Sequence, residues 1–113
     1  MNIDPDWEVS VQEVSAMRKN GQDFLLLDVR QPEEFSICKI AGAHLLPLRD
    51  LPDRIAEVRR LAGSRPIITQ CHHGVRSLNA AALLRQAGLS QARSMAGGID
   101  AWSILIDANV PRY

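Results

Sequence analysis

Apolar and polar positions fall into blocks along the chain, and each block has the length and period of a secondary-structure element. Residues 24–29 (Phe24-Leu25-Leu26-Leu27-Asp28-Val29) are almost continuously apolar, the pattern of a strand buried on both faces. Residues 66–70 (Pro66-Ile67-Ile68-Thr69-Gln70) predict a second such strand, β-branched at three successive positions. Shorter strands are expected at 43–45 and 92–95. Between them the period changes to that of helices. Ser10 and Glu13 fit a capping box that opens a helix to about Asn20, where Gly21 stops it. Pro32 suits a first helical position, with Glu33 and Glu34 placed favourably in the first turn. A helix is expected over 51–61 with Pro52 near its start. After residue 74, Ala80, Leu83, Leu84 and Ala87 recur at i, i+3, i+4 and i+7, with Gly88 as the stop. A last helix is expected over 99–106. Alternating strands and helices of these lengths predict an α/β fold, a mostly parallel central sheet with helices on both faces.

Composition narrows the class. The 113 residues suit one domain spanning 1–113, and 46% apolar with 23% charged residues is ordinary for a globular chain. No apolar run approaches the roughly 18 residues needed to cross a bilayer. Residues 1–6 show neither a basic nor an apolar leader region, so a cytoplasmic protein without membrane attachment is expected. Thirteen basic residues balance thirteen acidic ones, which argues against a nucleic-acid or polybasic membrane footprint. The halves differ: residues 1–56 carry −4 and residues 57–113 carry +4, an imbalance that is more often solvated surface than a sign of anion binding. Two cysteines, Cys38 and Cys71, make no disulfide framework.

Of the two, Cys71 has the neighbours of a nucleophile. It follows a predicted buried strand and precedes a helix, and the ends of parallel strands are where α/β sheets bind ligands. The loop Cys71-His72-His73-Gly74-Val75-Arg76-Ser77 contains a glycine able to turn at positive φ, so backbone N–H groups of residues 72–76 are expected to wrap around the sulfur. The positive end of the following helix adds to them, favouring a thiolate or an anion attached to it. Arg76 is expected to orient an anion. His72 and His73 are expected to face substrate and, when protonated, to attract an anionic donor. Two adjacent histidines without a third ligand do not make a metal site, so no metal is expected. Asp28 and Arg30, at the end of the first central strand, are read as a prop for the loops, with a part in chemistry left open. Trp102 and Phe35 are expected in the core, and Trp7 as an anchor. Gly97-Gly98 either lets backbone approach the active loop or simply turns the chain.

Four segments, in this order and spacing, resemble the rhodanese (sulfurtransferase) family over about residues 7–111. They are Leu27-Asp28-Val29-Arg30 with Glu33-Glu34-Phe35; Ile40-Ala41-Gly42-Ala43 with Pro47-Leu48; the loop from Cys71 to Ser77; and Ala96-Gly97-Gly98-Ile99-Asp100-Ala101-Trp102. The loop looks most like those of single-domain bacterial rhodaneses and of rhodanese modules joined to sulfur-carrier activating enzymes. The resemblance implies the three-layer rhodanese fold and a Cys71 that takes sulfane sulfur from a donor such as thiosulfate. The sulfur is then held as a persulfide and passed to a thiophilic acceptor: cyanide, a thiol, thioredoxin or a sulfur-carrier protein. No cofactor is implied beyond that covalent sulfur, and His72, His73, Gly74, Val75, Arg76 and Ser77 would form or support the loop. Related phosphatases and arsenate reductases resemble Cys-x5-Arg, whereas four residues separate Cys71 from Arg76 here, a smaller cradle suited to one sulfur atom. A non-catalytic binding module is a further alternative, although such modules commonly lack the cysteine. Cys38-Lys39 before Ile40, where many relatives have Gly-His, and His44-Leu45-Leu46 before Pro47 depart from the pattern without touching the loop.

Overall fold

The computed structural model describes residues 5–113, of Pro5 the backbone alone. The reading of residues 1–4 as free of a leader lies outside the described residues. Strands β1 (Glu8–Val9), β2 (Leu25–Asp28), β3 (His44–Leu45), β4 (Ile67–Gln70) and β5 (Ala92–Met95) form a five-stranded sheet in the order β1-β5-β4-β2-β3. All its pairings are parallel. Helices α1 (Val11–Lys19), α2 (Pro32–Ile37), α3 (Ile55–Ala62), α4 (Val75–Gln86) and α5 (Gly98–Leu105) connect the strands. This is the α/β architecture that the block pattern predicts, with helices on both faces.

Successive side chains of a strand point to opposite faces, so Leu25-Leu26-Leu27 of β2 and Ile67-Ile68 of β4 feed two cores. Leu25, Leu27 and Ile67 pack with Val58 and Ala62 of α3 and Ala80, Ala81 and Leu84 of α4. Leu26 and Ile68 pack on the other face with Val11, Val14 and Met17 of α1 and Ile99 and Trp102 of α5. Each fully buried aliphatic side chain contributes about 1.5–3 kcal/mol. Trp102 is buried as expected, whereas Phe35 is only half-buried, with the Lys39 ammonium 5.0 Å above its ring. Trp7 is also half-buried, under the Arg85 guanidinium at 5.5 Å.

Local chemistry sets the element ends. Ser10 Oγ accepts from the Glu13 N–H at 3.0 Å and starts α1. At the start of α2 the Gln31 N–H donates to Glu34 Oε1 at 3.0 Å. The helix expected over 51–61 is corrected by the structure. Leu48–Arg54 is a 3-10 segment with Pro52 inside it, and the α-helix begins only at Ile55. Pro52 has no N–H to donate, and the regular i→i−4 ladder begins only after it, at Ile55. Strand β1 has no counterpart in the sequence reading, because two residues are too few to show a period; it exists through its pairing with Ser94 and Met95.

The register of β2 on β4 prepares the site. Asp28 lies opposite Gln70, so both strands end at the same level, and the Val29 N–H still donates to Gln70 O at 3.0 Å. Cys71 therefore leaves the sheet directly beside the segment Asp28-Val29-Arg30.

Candidate active site

The Cys71 sulfur takes the place of a helix cap. The first N–H groups of a helix have no partner inside it, and a side chain usually supplies one. At the start of α4 the capping residue is Gly74, at φ 109°, with no side chain to offer. Cys71 Sγ accepts instead from the N–H of Gly74 at 3.1 Å and from that of Ser77, in the first turn, at 3.3 Å. The expected wrap of N–H groups from 72–76 thus narrows to two donors, one of them from Ser77. The Ser77 hydroxyl lies 3.4 Å from the sulfur, 3.2 Å from Gly74 O and 2.7 Å from Ser94 Oγ. Thr69 Oγ1 fixes the same turn by donating to Ser77 O at 2.7 Å. The sulfur sits at the positive end of a helix among aligned donors, and Cys71 is only 1% exposed.

Glycines allow the loop to lie flat on α5. The Ile99 N–H donates to Cys71 O at 2.8 Å and the Asp100 N–H to His72 O at 3.1 Å. A Cβ on Gly98, at φ 61°, would overlap both Cys71 O and His72 O. Of the two roles open for Gly97-Gly98, close backbone approach is the one the structure displays, and the same pair also turns the chain into α5.

Arg76 is not free. Its Nη1 and Nη2 donate to Glu34 Oε1 and Oε2 at 2.6 and 2.8 Å, a bidentate pair joining the loop to α2. Glu34 also accepts from the Tyr113 hydroxyl at 2.8 Å. The Arg76 hydrogen bonds hold the Glu34 carboxyl down at about 2. The Arg76 guanidinium, read from the sequence as an anion-orienting group, is thus engaged by the Glu34 carboxylate. Glu34 had been legible only as a helix-start acid, because its partner lies 42 residues away.

Asp28 and Arg30 form a fully buried ion pair beneath the loop, Nη2 to Oδ2 at 2.7 Å, and their side chains have no exposed surface. Arg30 also donates to Cys38 O at 2.7 Å and to the Tyr113 hydroxyl at 2.9 Å. These bonds tie the end of β2 to the Cys38 backbone and to Tyr113. Cys38 is buried in the α1–α5 core and Cys71 in the α3–α4 core, on opposite faces of the sheet.

The two histidines differ in their surroundings. The His72 ring stacks on Tyr113 with centroids 3.9 Å apart and planes 7° from parallel, and the His73 ring lies 3.9 Å away on a 31° tilt. Burial, together with the neighbouring His73, pushes the His72 imidazole below its ordinary range. His72 Nε2 and both amide atoms of Gln70 are buried without a hydrogen-bond partner among the described residues. His73 is mostly exposed, its Nδ1 3.8 Å from Asp100, which Arg112 binds at 2.8 Å. Val75 is 72% exposed at the loop surface. Tyr113 and Ser94 join the site only through tertiary contacts, and no local sequence signal marks either. A separate cleft, lined in part by Gly63, Ser64, Arg65 and Ser90, lies beside Ile67 at the opposite end of β4 from Cys71 and contains no nucleophile.

This fold and loop define a class. Residues 10–105 match the model for the rhodanese-like domain, and the chain belongs to that family. It is 34% identical to a thiosulfate sulfurtransferase of Ectopseudomonas mendocina, over 83% of this chain and 82% of that protein. Among solved structures, the human single-domain sulfurtransferase superposes with a TM-score of 0.74 at 28% identity, covering 88% of this chain and 96% of that one. A Rhodopseudomonas palustris protein described as a possible tyrosine phosphatase superposes with a TM-score of 0.76 at 26% identity, over 94% of this chain and 83% of that one. Against the adenylyltransferase and sulfurtransferase proteins of Zea mays, 29% identical, the chain spans 23% of their length.

Proposed function

We propose that the protein is a sulfurtransferase that carries sulfane sulfur as a persulfide on Cys71. Membership of the rhodanese-like family supports sulfur transfer in general. The observation that carries the finer reading is the sulfur itself, set at a helix start against the N–H groups of Gly74 and Ser77. In the first half-reaction the Cys71 thiolate attacks the outer sulfur of a donor such as thiosulfate. The bond between the two donor sulfurs breaks, its electron pair leaves with sulfite, and Cys71 persulfide anion remains. In the second, a thiophilic acceptor attacks the terminal sulfur and the thiolate is restored. The scheme is a double displacement with a covalent intermediate and needs no metal or other cofactor. The two N–H donors and the helix start stabilise negative charge on either sulfur species. Ser77 is a third donor, since its hydroxyl can turn from Gly74 O to the sulfur once the thiol proton is gone.

The phosphatase reading loses support at two points. The loop is one residue shorter than Cys-x5-Arg, and the guanidinium that would hold an oxyanion is clamped by Glu34. Intact-mass measurement after incubation with thiosulfate tests the proposal. We expect a gain of one sulfur atom, reversed by reductant, in the wild type and in Cys38→Ser. In Cys71→Ser both the gain and turnover to cyanide should fall to background. Normal loading of the Cys71→Ser protein would overturn the assignment, and hydrolysis of an aryl phosphate without sulfur uptake would replace it.

A further inference from the structure

Among the described residues, three arginines around the loop are each matched by a carboxylate. Arg76 is held by Glu34 through two hydrogen bonds of 2.6 and 2.8 Å, Arg30 by Asp28 at 2.7 Å, and Arg112 by Asp100 at 2.8 Å. Burial and the neighbouring His73 disfavour the cationic form of His72. The surface beside the sulfur is instead apolar and aromatic: Val75, 72% exposed, and the stacked rings of His72 and Tyr113. Thiosulfate brings two negative charges to a nucleophile that carries one. A cleft of unmatched cations overcomes such repulsion and raises capture rates. This mouth has its charges paired and does so only weakly.

We infer that Glu34, by holding Arg76, sets the charge preference of the site, which therefore takes an organic sulfane-sulfur donor with a single negative charge in preference to a small inorganic dianion. Glu34 acts here as a positioning residue through Arg76. The inference rests on the persulfide reading above. Its chemistry balances: Cys71 thiolate and an alkanethiosulfonate anion give Cys71 persulfide anion and an alkanesulfinate. The bond between the outer sulfur and the sulfonyl sulfur breaks, the sulfinate takes the electron pair, and no proton moves.

The test compares thiosulfate with methanethiosulfonate, which has the same transferable sulfur and one charge fewer. The readout is the second-order rate of Cys71 persulfide formation at low and high salt in the full chain. Intrinsic donor reactivities cancel when the thiosulfate-to-methanethiosulfonate rate ratio is compared between proteins. Glu34→Gln should raise that ratio about tenfold at low salt, the lower end of what focused charge delivers. Glu34→Gln combined with Arg76→Gln should return it to the wild-type value, a reversal that a purely structural role for Glu34 would not produce. In the wild type the thiosulfate rate should stay level or rise with salt, as for like charges; in Glu34→Gln it should fall as screening removes the attraction. An unchanged ratio in Glu34→Gln, or a thiosulfate rate that falls steeply with salt in the wild type, overturns the inference while leaving the persulfide reading intact. If Glu34→Gln does not fold, the wild-type salt profile decides alone. Failure of both donors to load Cys71 overturns the persulfide reading and this inference with it.

Discussion

A sulfur atom that caps a helix has its environment set by backbone rather than by side chains, which limits what substitution can do to it. Cys71 meets the N–H groups of Gly74 and Ser77, and no exchange of side chain at those positions other than to proline removes either amide. The vulnerable residue is Gly98, which touches the loop through backbone alone. An alanine there would place Cβ against the carbonyl oxygens of Cys71 and His72 while holding φ at 61°. We expect Gly98→Ala to cost about 1–3 kcal/mol in stability, the range for strain at a special backbone conformation. It should also depress persulfide formation more than the stability loss explains, because the Ile99 N–H to Cys71 O bond must lengthen. Thermal melts and loading rates on the folded protein check this; wild-type loading in a folded variant would show that the loop does not depend on α5.

At the scale of the element, the loop and α4 work as one unit. Gly74 caps the helix, Ser77 closes its first turn on the sulfur, and Thr69 ties Ser77 O back to β4 at 2.7 Å. Loop length and helix start are therefore locked together. Insertion of one glycine between Gly74 and Val75 would make Cys-x5-Arg and move the first turn of α4 away from the sulfur. Each weakened hydrogen bond to a charged sulfur costs about 1.5–3 kcal/mol. Sulfur loading should fall by orders of magnitude, with at most a trace of aryl-phosphate hydrolysis, because Arg76 keeps Glu34 as its partner. Unchanged loading in the inserted, folded protein would show that loop size does not set the chemistry.

Across the whole molecule, Glu34 is a junction of parts far apart in the chain. It receives Gln31 within α2, Arg76 from the start of α4, and the Tyr113 hydroxyl. Its carboxyl, held at about 2 against an ordinary value near 4.5 chiefly by the Arg76 hydrogen bonds, links this junction to pH. A carboxyl with a depressed folded-state pKa stabilises the fold fully above the unfolded value, and that contribution disappears as pH falls toward the folded value. The wild type should thus be more stable than Glu34→Gln at pH 6–7, with the gap shrinking between about pH 4.5 and 2. Paired melts across that range measure it; a gap independent of pH would mean that Glu34 acts by shape and not by charge.

The fold class and the place of Cys71 at a strand end before a helix were legible in the sequence because both rest on local patterns. A continuous apolar run identified β2 and three successive β-branched residues identified β4, and Cys71 stood between a strand and a helix with the glycine that the turn requires. The count of four residues to Arg76 is likewise a local quantity. Strand β1 and the 3-10 segment around Pro52 escaped, the first for its length and the second because a proline that opens an α-helix and one that sits inside a tighter turn look alike in sequence. What only the tertiary structure decided was partnership. Sequence marks Arg76 as a cation and Glu34 as a helix-start acid, but the fold brings them together across 42 residues, as it brings Tyr113 across 79 to the same carboxylate. Charge along the chain is local, whereas its cancellation at the mouth depends on which surfaces the sheet order sets side by side.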